Sequence, residues 1–136
     1  LEIASVQQIC RAETPADLAA LNAIWLVPPE ERLSDPMTVS ELDEAFHQGL
    51  IAATGNAEMT RVHRDITEKI RIIRRLDFTK PERTKTTYEE HGRILRLLNQ
   101  RKAAQAEILL RSHIEASKAE VRRITMHMLH TAGARR

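Results

Sequence analysis

Asp43 and His47 stand four residues apart in the run Asp43-Glu44-Ala45-Phe46-His47, a spacing that puts both side chains on one face of a helix. Two lone histidines far downstream, His91 and His113, each interrupt an apolar helical stripe on a separate later helix. Three imidazoles and a carboxylate aimed inward are what a divalent metal needs and what a plain hydrophobic core avoids. For any one histidine, a hydrogen-bonded core residue is an equally good account. For the set it is uneconomical, because three buried imidazoles would have to be satisfied around one carboxylate. The expected metal ligands are therefore Asp43, His47, His91 and His113.

Neutral imidazoles with one carboxylate suit zinc or nickel first, then manganese or iron, whereas magnesium and calcium want more oxygens. Four protein ligands close a tetrahedron or leave two cis positions open on an octahedron. Other chemistries lack their residues. A ferritin-like di-iron site needs two Glu-x-x-His motifs, and only Glu44-x-x-His47 fits. The His-Glu-x-x-His pair of zincins is absent, as is the adjacent His-Asp pair of metal phosphohydrolases. Cys10 stands alone, and no serine sits in a Gly-x-Ser-x-Gly turn. Beside the metal, Asn56, His63 and Arg74 are assigned to a ligand pocket. Asn56 is first a helix cap, and His63 borders the inner face of its helix. Arg71, Arg74 and Arg75 form a solvated face from which an anion can be met. His127 and His130, near the end of the sequence, read as solvated or at a subunit contact.

These groups need helices to hold them. The first helix runs from before residue 1 to about Ala12, and Thr14-Pro15-Ala16-Asp17 is a start signal for a second that ends near Trp25. The segment from Pro28 to Met37 carries three prolines and reads as a linker or an irregular short helix. Thr38-Val39-Ser40-Glu41 is a capping box that opens the third helix, with Val39, Leu42, Phe46, Leu50 and Ala53 as its apolar stripe. Thr54-Gly55-Asn56 closes it. The fourth helix, roughly 57–77, is expected to bury Met59, Val62, Ile66, Ile70 and Ile73. The fifth covers about 84–98. After a break near Asn99-Gln100-Arg101 comes a long sixth, about 102–130, with Ala106, Leu109, Leu110, His113, Ser117, Ile124 and Met128 inward. Nothing reads as a strand. The expected fold is all-α: an antiparallel bundle of six to seven helices around a central metal and ligand cavity.

Composition agrees. Of 136 residues, 42% are apolar but only 3% aromatic, a helix-former vocabulary with enough length for one domain and a real core. The net charge of +2, from 21 basic and 19 acidic side chains, is nearly balanced and gives no nucleic-acid-binding stripe. A single cysteine fits a reducing cytosol, and no apolar run approaches membrane-spanning length. A cytoplasmic protein with no membrane contact is expected. The opening Leu1-Glu2-Ile3-Ala4-Ser5-Val6 is already in helical phase without an initiator Met, so an internal segment of a longer protein is expected.

With those residues in hand, the chain resembles the C-terminal effector-binding domain of GntR-family transcription regulators, of the FCD subgroup. The run Asp43-Glu44-Ala45-Phe46-His47-Gln48-Gly49-Leu50-Ile51-Ala52-Ala53-Thr54-Gly55-Asn56 follows that subgroup's Asp-x-x-Phe-His-x-x-Leu-x-x-Ala-(small)-Gly-Asn. Glu90-His91-Gly92-Arg93-Ile94 and His113-Ile114 follow its two later histidine motifs. The resemblance covers nearly the whole chain. It implies that Asp43, His47, His91 and His113 bind a divalent metal, which helps to hold a small organic acid effector in a central cavity. It also implies homodimerisation, an N-terminal winged helix-turn-helix that contacts DNA and is absent from residues 1–136, and an effector-binding arginine just before Leu1. On this reading the chain senses rather than catalyses. The alternative is a metal-dependent hydrolase or lyase on the same Asp/His3 site, with Glu44 or Glu90 as general base. The blandest is a helical interaction domain with buried structural histidines.

Overall fold

A computed structural model describes residues 1–13 and 16–134. Among them are six α-helices, one short 3-10 turn and no strand: α1 (Glu2–Arg11), α2 (Ala19–Trp25), the turn Pro29–Glu31, α3 (Pro36–Ala52), α4 (Ala57–Asp77), α5 (Pro81–Asn99) and α6 (Ala103–Ala134). The all-α bundle expected from the sequence is the fold. No helix among the described residues is long and apolar enough to cross a membrane.

Local chemistry sets the boundaries. The expected start signal of α2 falls partly on Thr14 and Pro15, outside the described residues; the helix begins at Ala19, whose N–H donates to Asp17 Oδ1 at 3.1 Å. Helix α3 starts three residues earlier than its capping box suggested. Pro36 occupies the first turn, and Asp35 accepts from the N–H of Thr38 at 3.0 Å and from its hydroxyl at 2.6 Å. Pro81 likewise opens α5 ahead of the expected start.

Two tight connections fold the long helices into hairpins. Gly55, at φ +73°, turns the chain after α3, and Asn56 Oδ1 then caps α4 by accepting from Met59 N–H at 3.0 Å. Between α5 and α6 the left-handed residue is Arg101, at φ 56°. There Lys102 N–H reaches Leu97 O at 2.9 Å and Arg101 N–H reaches Leu98 O at 3.0 Å, the two bonds of a Schellman ending built without glycine.

The core gathers Val6 of α1, Trp25 of α2, Val39, Phe46 and Leu50 of α3, Tyr88, Ile94, Leu95 and Leu98 of α5, and Ala106 and Leu110 of α6. Trp25 meets Phe46 edge-on with centroids 5.9 Å apart and Tyr88 at 4.9 Å. This aromatic wall fixes the inner face of α3, and so the direction of Asp43 and His47.

Helix α4 departs from its pattern. Val62, Ile66 and Ile70, expected in the core, are 36%, 48% and 37% exposed. The buried residues are His63, Thr67 and Asp77 instead. The helix is rolled by roughly one residue, about 100°. Its polar face turns inward because the partners waiting there are Glu2, Asp43 and Glu44, and buried carboxylates need cations or donors more than a row of isoleucines needs burial. Beyond Ser117, α6 also leaves the core: Met128, expected inward, is 47% exposed.

Candidate metal centre and ligand cavity

Asp43, His47, His91 and His113 are all buried, and each offers a ligand atom within 4.8 Å of the others. Helix α3 supplies two of them one turn apart, α5 the third and α6 the fourth. Their orientation follows from packing. His91, fully buried, stacks on Phe46 with centroids 3.7 Å apart and planes at 11°, and meets Trp25 edge-on at 4.3 Å.

Two carboxylates orient the remaining imidazoles. His47 donates from Nδ1 to Glu2 Oε1, and His113 donates from Nδ1 to Glu90 Oε2. In a neutral ring such a donation leaves Nε2 as a bare lone pair, the arrangement by which carboxylates hold metal-binding histidines. The two Nε2 atoms converge to 3.4 Å, and His47 Nε2 lies 3.4 Å from Asp43 Oδ1. His91 Nε2 approaches Asp43 Oδ1 to 3.0 Å, but off hydrogen-bonding angles, so both atoms are left without a hydrogen-bond partner among the described residues. Buried polar atoms left unpartnered in this way are costly, and a cation bound between them removes the cost. The donor set fits a divalent transition metal.

The electrostatics agree. Burial pushes the Glu2 and Asp43 carboxyls up, but the charge of the imidazoles beside them, together with their hydrogen bonds to Glu2, outweighs it and holds both well below the usual carboxylate range. Burial alone would depress His47; Glu2 and Asp43 overcome it and lift this imidazole to about 10. His91 is pushed down to about 3 by burial, which its contact with Asp43 offsets only in part, so this ring stays neutral. Without a metal, the site holds an extra proton on His47.

A cavity of about 430 Å³ opens from this cluster, within the usual size of small-molecule sites. Arg74, Arg83, Lys118 and Arg122 line it against only three carboxylates, Glu2, Asp43 and Asp77. Arg74 faces inward with 16% of its side chain exposed, contrary to the solvated face expected for it; its Nε lies 3.2 Å from Asp43 Oδ2 and its Nη1 has no hydrogen-bond partner among the described residues. Of the other two residues assigned to the pocket, His63 is buried behind Glu2, with Nε2 at 3.4 Å from Glu2 Oε2, and Asn56 is exposed at the cap of α4. Neither lines the cavity. His127 and His130 are exposed.

Residues that spacing did not mark as site residues complete the picture. Glu2 is 45 positions from its partner His47, a relation no local pattern encodes. Glu90 and Glu44, considered as general bases, have other partners: Glu90 holds His113, and Glu44 accepts from Arg71 Nε at 2.8 Å.

A family model described as "FCD domain" matches residues 1–116. The "Nta operon transcriptional regulator" of Aminobacter aminovorans is 29% identical over 115 residues, 85% of this chain and 53% of that protein. The chain thus spans about half the length of this curated relative. No solved structure matches. With the helical bundle, the buried Asp/His cluster and a family match over most of its length, the chain belongs to the FCD family, as a domain of the GntR transcription-regulator type.

Proposed function

We propose that this domain senses a small organic acid through a bound divalent metal, and that it belongs to a cytoplasmic, DNA-binding transcription regulator. The observation that carries the reading is the convergence of buried ligand atoms of Asp43, His47, His91 and His113, those of Asp43 and His91 without a hydrogen-bond partner among the described residues, at the base of a cavity rich in cations. Zinc or nickel suits that donor set first, with manganese or iron next. A bound metal supplies a point positive charge for an acid group. Arg74, paired with Asp43 at 3.2 Å and more loosely with Glu44 at 3.9 Å, lines the cavity beside the cluster and is placed to meet the same acid group.

Sensing is favoured over hydrolase or lyase chemistry because the two nominated general bases are engaged, Glu44 by Arg71 and Glu90 by His113. The acid would touch α3, α4 and α6 together, so its differential affinity for two arrangements of these helices would shift their balance and with it operator binding. DNA contact through a further N-terminal domain and homodimerisation are part of the proposal. The relative named as a transcriptional regulator supports the first, and the exposed Val62 and Ile66 on α4 supply apolar surface for the second.

Calorimetric titration of candidate acids into metal-loaded and chelated protein tests the reading. Acid binding only to the loaded protein is expected; binding indifferent to the metal would overturn it.

A further inference from the structure

The cavity wall farthest along α6 is built by Ser117, Lys118, Val121 and Arg122, all beyond the segment that the family model matches, residues 1–116. The charge of this wall is poorly compensated. Arg123 has Glu120 three residues before it, with Nη2 at 2.6 Å from Oε1, but Arg122 has no carboxylate three or four residues away on either side. No ion pair involves Arg122 among the described residues. Lys118, one turn before it on the same face, reaches only Glu115 at 3.6 Å, with both side chains about two-thirds exposed (66% and 63%). Two like charges at this spacing on one helix repel each other. They lie on a wall whose other lining includes Ile70, Phe78 and Ile114. By contrast Arg83, also in the cavity, is held by Asp77 at 3.0 Å and by Ser117 Oγ at 3.3 Å.

We infer that the effector carries two separated acid groups, and that Lys118 and Arg122 receive the one remote from the Asp43–histidine cluster. The inference rests on the metal-and-acid reading of the same cavity. From His113 to these two residues α6 rises roughly 7 to 13 Å at 1.5 Å per residue. The cavity therefore has one anion-binding end at the cluster and Arg74, an apolar middle, and a second anion-binding end at α6. A short α,ω-dicarboxylate matches that order, and a monocarboxylate of equal length leaves the outer cations unused. Lys118 and Arg122 are specificity residues on this account.

The test is calorimetry on the metal-loaded protein with paired probes: succinate, glutarate, adipate and suberate against butyrate, valerate, hexanoate and octanoate. The expected result is one dicarboxylate binding at least tenfold more tightly than its monocarboxylate counterpart. In the Lys118→Gln/Arg122→Gln double variant that advantage should disappear while monocarboxylate affinity holds. Both positions are exposed, so the variant should keep the thermal midpoint of the parent protein. Metal-dependent binding of monocarboxylates with no dicarboxylate advantage, or an advantage that survives the double substitution, overturns this inference and leaves the sensing reading standing. No binding of any probe, or binding indifferent to metal, overturns both.

Discussion

Glu2→Gln is the sharpest perturbation of the metal centre, because it leaves the ligands untouched. A glutamine fills the same space, and its Oε1 can still accept from His47 Nδ1, so the ring keeps its direction. What is lost is the negative charge that makes His47 Nε2 a stronger donor. Substitutions of this kind typically lower metal affinity about 10- to 100-fold, or roughly 1.4 to 2.7 kcal/mol. Glu2 belongs at the upper end: only 17% of its side chain is exposed, and it serves two imidazoles, His47 and His63. Glu90→Gln belongs at the lower end, since Glu90 is 28% exposed and serves His113 alone. Competition against a chromophoric chelator measures both. At saturating metal the loss also appears in the melting temperature, because metal stabilises by RT ln(1 + [M]/Kd). Affinity within twofold of wild type for Glu2→Gln would refute the claim that this carboxylate tunes the site.

Three further outcomes follow from the same geometry. His91→Phe preserves the stack on Phe46 and removes two unpartnered buried nitrogens, each costing about 1 to 3 kcal/mol. It should match or exceed the chelated wild type in denaturant unfolding yet gain nothing from added metal; lower stability than the chelated wild type would contradict this. In the chelated domain, the stability contributed by the depressed carboxyls of Glu2 and Asp43 is present above about pH 4.5 and is lost as pH falls below it. That of His47, raised from 6.5 to about 10, is complete below pH 6.5 and lost as pH rises toward 10. His91, held down to about 3, loses its contribution as pH falls below 6.5, so chelated protein should be most stable near pH 6.5, while the stabilisation that metal adds grows with pH because ligation needs the neutral ring; melting curves from pH 4 to 9 with and without chelator would check it. Arg101→Gly relieves a left-handed residue at φ 56° and should stabilise by about 1 kcal/mol, read as an upward shift in the denaturant midpoint.

The fold class and the four clustered residues were legible in the sequence because they rest on local periodicity. Asp43 and His47 are one turn apart whatever the tertiary structure does, and the aromatic and aliphatic neighbours of His91 and His113 already place those rings toward a core. The caps at Asn56 and the turn at Gly55 are likewise set by residues within a few positions of each other. Helix α4 marks where this reasoning ends. Its sequence carries one apolar row and one polar row, and periodicity cannot say which of them faces the domain. Only the assembled bundle, with Glu2, Asp43 and Glu44 waiting on the inner side, turned Arg74 inward and left Val62, Ile66 and Ile70 on the surface. Glu2 and the cations of α6 were hidden for the same reason. Ion pairs and hydrogen bonds between residues 45 or more positions apart depend on how helices are docked, and that docking belongs to the tertiary structure alone.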